Sequence, residues 1–546
     1  MTPTTTRPLL AALCCCALLA CASDPLDPTA NFAPDASGEA DAAASPDSGA
    51  HDTNPLDRAD DAADTDTASL DTAAPLDSEP PDAPFDSSAP AMDSATPDAA
   101  DVAVDTAAQD TADTFAAPPD LPHLDQVVDL TLGEQRAWGS LVTVTDGPQG
   151  PRFSEFSYGE SADAVDFWPA STIKVLPATA ALVLLAEMGF SLDATATFFH
   201  GDGRGGWVED TSMTFRRMIF ESFTCSSNST YTLLLRFAGV QWLNEAFFTA
   251  AHGFTRTSLM RGYVTSRPEV YRLDEPQRIV VTEGGQSLIR EHAWNGERWA
   301  DEVGCTVYNG SGTANCASPR DMTEHLRRLV FHEHLTEEER FALRQDDLDW
   351  MRYGDADAPV MNNSARCGGP AWDGVARVMP DALFLHKGGL VQEYRSSLHY
   401  VEDASSGTRY LTYLALAGSA ERPMRDLAEA IARAALTPDR YVHLDNLRDH
   451  VNPVTAELVV YTTEPGMLEL WVKDFTADPD DLMQGWEPLD GAVAAVPEGT
   501  SAHTLASACL DRSEQVWIRG RLVRDSGDVA WSDLHYVIVD ADVACP

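Results

Sequence analysis

Phe167-Trp-Pro-Ala-Ser-Thr-Ile-Lys174 runs directly into Val175-Leu-Pro-Ala-Thr-Ala-Ala-Leu-Val-Leu-Leu-Ala-Glu-Met188, and this junction decides how the chain is read. Between Ser171 and Met188 apolar residues fall on nearly every side: Ile173, Val175, Leu176, Leu182, Val183, Leu184, Leu185 and Met188. A helix hydrophobic all round is a buried one; Pro177, near its start, removes one early hydrogen bond. Lys174 therefore has no solvated face to occupy. Residues i and i+3 share a helical face, so the spacing predicts the Lys174 amine beside the Ser171 hydroxyl. Burial lowers a lysine pKa, which turns the amine into a base that can take the serine proton. The helix N-terminus also favours negative charge forming near Ser171.

Lysine usage singles out the same position. Of 37 lysines and arginines only Lys174, Lys387 and Lys473 are lysine. Arginine keeps its proton in proteins, whereas a desolvated lysine can be neutral near pH 7. A chain that meets almost every need for positive charge with arginine keeps lysine where arginine would fail. Lys387 lies in His386-Lys387-Gly388-Gly389, after the apolar Ala382–Leu385 and before a strand expected at Ser396–Glu402. Glycines beside a lysine on a strand let a substrate backbone approach and pair with the edge. A third group, Ser226-Ser227-Asn228, precedes the apolar run Tyr231–Leu235. Ser226 can relay a proton and the Asn228 amide can hold a carbonyl, although the same residue types also cap helices.

Together the three groups resemble the serine β-lactamase and penicillin-binding protein superfamily, nearest to its class A-like branch, which places S-x-x-K, S-x-N and K-[TS]-G in this order. The resemblance covers about residues 122–438. It includes Phe167–Lys174 as the lead into a central helix, Ser226–Leu235, and Ala317-Ser-Pro-Arg-Asp-Met322 with its following helix. It implies an α/β (α+β) fold with an antiparallel sheet flanked by helices and a helical subdomain. It further implies that Ser171 attacks, Lys174 activates it, Ser226 shuttles the proton to the leaving nitrogen, Asn228 positions the acyl side chain and Lys387 supplies electrostatic support. The backbone N–H groups of Ser171 and Leu390 would form the oxyanion hole, a donor being worth about 3 kcal/mol of transition-state stabilisation. Three positions depart from the family pattern. Ser227 stands where an aspartate is usual. Gly388 replaces a hydroxyl that commonly meets the substrate carboxylate, a contact for which Arg395 is the nearby candidate; Gly389 completes the motif. No Glu-x-x-Leu-Asn loop is found, and by spacing Glu302 is the nearest stand-in for the base that activates a deacylating water.

Working outward, Trp138–Asp146 and Arg152–Gly159 around Gly147-Pro-Gln-Gly-Pro151 read as a hairpin. A polar segment with helical stretches is expected from 210 to about 350, then strands Ser396–Glu402 and Tyr410–Gly418 and a helix Pro423–Ala435. Beyond 441, the short apolar runs Leu458–Thr462, Met467–Val472, Gln515–Leu522 and Leu534–Val539 suggest a small β-sandwich to 546.

The N-terminus speaks to location. Arg7 and the apolar run Leu9–Ala20 have the length of a signal-peptide core, too short to span a bilayer. Leu18-Leu19-Ala20-Cys21 resembles the lipobox of bacterial lipoproteins, which implies lipidation at Cys21 and a membrane anchor of buried methylenes at about 0.8 kcal/mol each. Residues 22–120 are Asp, Ala, Pro, Ser and Thr with Arg58 the sole lysine or arginine, a composition expected to stay disordered as an extended tether. That segment carries roughly half of the net charge of −49, which argues against nucleic acid as a partner. The expected organisation is thus a signal peptide (1–21), a tether (22–120), a catalytic domain (121–440) and a β-sandwich (441–546), anchored to the bacterial cell envelope.

Six cysteines beyond the signal region suit an oxidising compartment. Cys305–Cys316 is the expected local bridge, Cys509–Cys545 a pair in the last segment, and Cys225 and Cys367 are left over. No Cys or His cluster has metal-ligand spacing, so neither metal nor cofactor is expected. The expected activity is acyl-enzyme hydrolysis of β-lactams or related amides. The alternatives are a D-Ala-D-Ala carboxypeptidase or transpeptidase acting on cell-wall peptide, and an inactive surface binding lipoprotein; the oligomeric state is left open.

Overall fold

The computed structural model describes residues 121–264, 276–307, 314–362, 369–391, 393–438, 440–445, 457–475, 484–504 and 515–538. Helix α1 (Leu124–Leu132) leads into the hairpin β1 (Ala137–Gly147) and β2 (Gly150–Gly159), closed where Gly147 faces Gly150. A 3₁₀ turn, Ala170–Lys174, opens α2 (Val175–Met188), the apolar helix legible in the sequence, every residue of which from Val175 to Leu185 is buried. Pro177 falls in the first turn of α2, where backbone N–H groups have no partner within a helix, so it is accommodated.

From 210 to about 350 the expected helical stretches are joined by strands that the sequence reading does not include. Strands β3 (Thr195–Gly201) and β4 (Trp207–Thr214) precede helices α3 (Phe215–Thr224) and α4 (Asn228–Ala238). After the two-residue strand β5 (Thr257–Ser258), β6 (Gln277–Glu283) and β7 (Gln286–His292) complete a sheet of order β4-β3-β6-β7. Gly284 and Gly285, both at positive φ, form the two-residue turn between β6 and β7. That signal was present in the sequence, but the polarity of the surrounding segment outweighed it.

Helix α5 (Trp299–Glu302) and strand β8 (Cys316–Ala317) follow, β8 pairing with β5. Next comes α6 (Pro319–Val330), capped by Ser318, whose Oγ accepts from Asp321 N. The Asp321 carboxylate is fully buried and accepts from Thr255 N and Oγ1, Arg256 N and Thr257 Oγ1. One side chain thereby fixes the loop that enters β5.

After α7 (Gln345–Tyr353) and α8 (Gly369–Ala376), strands β9 (Leu383–Val391), β10 (Tyr394–Asp403) and β11 (Thr408–Ala417) run antiparallel, followed by α9 (Glu421–Leu436). The central sheet has the order β2-β1-β11-β10-β9, which leaves β9 at an edge. Alternate residues face opposite sides. Leu385, Leu398, Leu411 and Tyr413 join the core around α2, while Phe384, Val401, Tyr410 and Leu414 join a second core under α1, α8 and α9. This is the expected antiparallel sheet between helical layers.

The last hundred residues form strands β12 (Val442–Asp445), β13 (Glu457–Thr462), β14 (Gly466–Asp474), β15 (Glu487–Val496), β16 (Gly499–Thr504), β17 (Gln515–Val523), β18 (Val529–Trp531) and β19 (His535–Ile538). Sheet β12-β13-β16 and sheet β15-β14-β17-β18, with β19 beside β17, close on a core of Val442, Leu458, Val460, Leu468, Leu470, Ile518 and Leu522. This region is joined to α9 by Leu534 N donating to Glu429 Oε1 at 3.0 Å, and to the residue after α8 by the Arg377 guanidinium over the Trp517 ring.

Candidate active site

The turn that carries Ser171 is held from three sides. Ala170, directly before it, has φ 54°, a left-handed conformation costly for a residue with a Cβ. Tyr263 Oη donates to Ala170 O at 3.2 Å, Ser396 Oγ to Pro169 O at 2.8 Å, and Thr172 Oγ1 also to Pro169 O. Ser171 itself is half-buried at the mouth of this turn.

Lys174, one 3₁₀ turn later, is fully buried, like the helix it opens. Its amine donates to Ser226 O, to Asn228 Oδ1 at 2.8 Å and to Ser226 Oγ at 3.4 Å. The expected pairing with the Ser171 hydroxyl is not among its hydrogen bonds; the 3₁₀ turn directs the amine at the head of α4 instead. The rings of Tyr231 and Tyr263 lie 5.9 and 6.0 Å from it. Burial first, and then the charge of Lys387, hold this amine well below the ordinary lysine range.

Ser226 also has a left-handed backbone, φ 51°, and its hydroxyl accepts from Lys387 Nζ at 3.0 Å. One hydroxyl is thus shared by two lysine amines. The next residue, Ser227, caps α4, its Oγ accepting from Thr230 N, so the capping role and the site fall on neighbouring serines. Asn228 is open to solvent.

Lys387 reaches Ser226 from the edge strand β9 and also donates to Gly388 O at 2.8 Å. Gly389 is where β9 touches the serine turn. A Cβ there would lie 2.9 Å from Ser171 N, 3.0 Å from Pro169 O and 2.5 Å from Ser396 Oγ. Only glycine lets the strand come this close. At Gly388 a Cβ would turn the other way and meet only His386 Nε2 at 3.6 Å. Leu390 follows on the edge with its side chain 54% exposed. Ser171, Lys174, Ser226, Asn228, Lys387 and Gly389 are therefore brought together.

Two candidates are not. Arg395 pairs with Leu390, one residue out of phase with Gly389 and Ser396, so it points from the opposite face of the sheet. There its guanidinium donates to Ser419 O and pairs with Glu421. Glu302 ends α5 as an exposed side chain outside the hydrogen-bond set of the two lysines and Ser226. Among the described residues no carboxylate hydrogen-bonds to Ser171, Lys174, Ser226 or Asn228.

Sequence reasoning missed Tyr231 and Tyr263. Tyr231 follows Asn228 by three residues, a placement common in any core, and Tyr263, 35 residues beyond Asn228, has no local signal. Cys305 and Cys316 form a disulfide, with Cα atoms 6.1 Å apart, and Cys225 is disulfide-bonded as well. Cys21, Cys509, Cys545, Cys367 and the stretch 22–120 lie outside the described residues.

Residues 153–436 match the model of the beta-lactamase enzyme family, just over half of the chain. No curated protein sequence matches it. Among solved structures it is similar to the TLA-1 extended spectrum beta-lactamase, at 13% identity and TM-score 0.39 over 58% of this chain and 99% of that one. A beta-lactamase from Sphaerobacter thermophilus gives 14% and 0.36 over 58% and 98%, and PBP-A gives 15% and 0.38 over 59% and 98%. With its three motifs gathered at one sheet edge and its sequence fitting the family model across that region, the chain belongs to the beta-lactamase enzyme family.

Proposed function

We propose that this chain is a serine acyl hydrolase that opens β-lactams or related amides through an acyl-enzyme on Ser171. The observation that carries the reading is the buried Lys174 amine, which shares the Ser226 hydroxyl with Lys387. A neutral amine has two N–H donors and one lone pair. In that form the two nearer acceptors, Ser226 O and Asn228 Oδ1, keep the donors and the longer bond to Ser226 Oγ is given up, which leaves the lone pair to receive a proton. In this mechanism Ser171 Oγ attacks the amide carbon and its proton passes to Lys174. The C–N bond then breaks as Ser226, held by Lys387, passes its proton to the leaving nitrogen and takes one back from Lys174; water later cleaves the acyl ester and frees Ser171. The backbone N–H groups of Ser171 and Leu390 stabilise the oxyanion.

A second reading, a D-Ala-D-Ala carboxypeptidase or transpeptidase with a long-lived acyl-enzyme, is favoured by one feature. Among the described residues no carboxylate hydrogen-bonds to Lys174, Ser226 or Asn228, where it could activate a water, and Glu302 is exposed outside that set. The test is to incubate the full chain with a fluorescent penicillin and a chromogenic cephalosporin. Turnover supports the hydrolase, stable labelling supports the second reading, and neither supports an inactive binding lipoprotein. Ser171→Ala should abolish both signals; persistence of either refutes the site.

The proposal extends to an envelope location. Acylation at Cys21 would anchor the enzyme near cell-wall substrates, and Cys21→Ser should move the protein from the membrane fraction to the soluble one.

A further inference from the structure

The two strained residues of the site, Ala170 and Ser226, flank Lys174, and one side chain that no motif includes touches both the first strained residue and the lysine. The Tyr263 hydroxyl stands between Trp168 Nε1, which donates to it at 3.3 Å, and Ala170 O, to which it donates at 3.2 Å. It thus ties together the residues on either side of Pro169, immediately ahead of Ser171. Its ring packs at a tilt against that of Tyr231, centroids 4.8 Å apart, and both rings lie about 6 Å from Lys174 Nζ. Tyr263 is itself fixed. Its backbone N–H donates to Thr232 Oγ1 on α4, and a Cβ on the preceding Gly262 would come within 2.9 Å of the Thr232 methyl. The segment carrying Tyr263 is also pinned by Asn315, fully buried, whose Oδ1 accepts from Met260 N and Arg261 N and whose Nδ2 donates to Tyr231 Oη.

Building on the acyl-enzyme reading, we propose that Tyr263 is a positioning residue for Ser171 and Lys174: its hydroxyl holds the left-handed Ala170 turn and its ring, with Tyr231, screens the Lys174 amine from water. A left-handed alanine persists only if its surroundings over-determine it, and the Tyr263 hydroxyl is the side-chain donor that meets its carbonyl. The aromatic pair covers the amine with apolar surface on a side where a carboxylate would instead keep it charged. Among the described residues, the titratable and charged groups against the amine are Lys387 from β9, Tyr231 from α4 and Tyr263; the first opposes a proton on Lys174 by its charge, and the rings oppose it by excluding water.

The two functions of the side chain separate by substitution. Tyr263→Phe keeps the ring and deletes the tie; Tyr263→Ala removes both. Because the chain has only three lysines, NMR of the full chain labelled with ¹³Cε-lysine follows Lys174 directly, with no substrate needed. Tyr263→Phe should slow acylation by fluorescent penicillin about tenfold, a loss of the size expected from slight misplacement of a nucleophile, and leave the Lys174 titration midpoint where it is in the parent. Tyr263→Ala should raise that midpoint by a unit or more and slow acylation at neutral pH further. Parent-like acylation in Tyr263→Phe would overturn the tie, and an unmoved midpoint in Tyr263→Ala would overturn the screen. A parent chain that takes no penicillin, while Tyr263→Ala still raises the midpoint, would refute the acyl-enzyme reading and uphold the screen.

Discussion

Gly389→Ala gives the most direct test of how the edge strand and the serine turn fit together. The added methyl would stand 2.9 Å from Ser171 N, 3.0 Å from Pro169 O and 2.5 Å from Ser396 Oγ. The serine hydroxyl could rotate only by giving up its bond to Pro169 O, and the other two neighbours are backbone. Restoring ordinary contact distances of about 3.5 Å means moving strand and turn apart by about 0.5 Å. Overpacking of this kind costs about 1–3 kcal/mol of stability. Since a 1 Å misplacement near a reacting centre costs about 10²-fold, half that shift predicts acylation slowed by about tenfold. The assay is stopped-flow labelling by fluorescent penicillin, with urea unfolding on the same samples. Gly388→Ala is the control, because its methyl would meet only His386 Nε2 at 3.6 Å; it should stay within threefold of the parent. Parent-like acylation in folded Gly389→Ala, or equal damage from the two alanines, would refute the close-approach argument.

Three further outcomes are expected. Lys174→Arg should remove acylation as completely as Ser171→Ala, since a guanidinium cannot surrender its proton; labelling at more than about 1% of the parent rate would count against Lys174 as the base. Stability should fall on acidification. His325, His386 and His399 are buried and held neutral, with pKa values lowered by burial to about 3. The unfolded chain binds protons at these rings below pH 6.5 and the folded chain does not, so stability present above 6.5 is lost progressively as pH falls towards 3. At pH 5 this amounts to about 2 kcal/mol per imidazole, and a urea midpoint unchanged between pH 8 and pH 5 would refute it. Asp321→Ala should destabilise by about 3 kcal/mol or more by orphaning the donors of Thr255, Arg256 and Thr257; a thermal midpoint lowered by less than a degree or two would show that these donors find other partners.

Much of the fold was legible because local signals and burial agree along the chain. The 171–188 run is apolar on all sides and becomes the buried helix α2; the strands at 138–146, 152–159, 396–402 and 410–418 alternate or run apolar as the central sheet requires. The β6–β7 hairpin is legible in Gly284-Gly285, yet its strands carry many polar residues because β6 buries only alternate residues and β7 buries none. Strand β15, rich in alanine and glycine, lacks the β-branched run that would mark it. In the site, lysine scarcity alone points to Lys174 and Lys387. Arg395 and Glu302 show where spacing runs out. A single residue of strand register carries Arg395 to the far face, and distance along the chain from Ala317 says nothing about where an exposed helix end comes to rest.

The sequence by itself determined which groups are available: one serine and one lysine on an apolar helix, a second lysine beside glycines, and a serine and an asparagine ahead of an apolar run. Those are properties of residue type and local spacing. Only the tertiary structure decided that the lysine amine turns to Ser226 and Asn228, that Gly389 abuts the Ser171 backbone and that Tyr263 closes over both. Such contacts join residues 52 to 227 positions apart, and their geometry follows from how α2, α4 and β9 pack together, which no local pattern encodes.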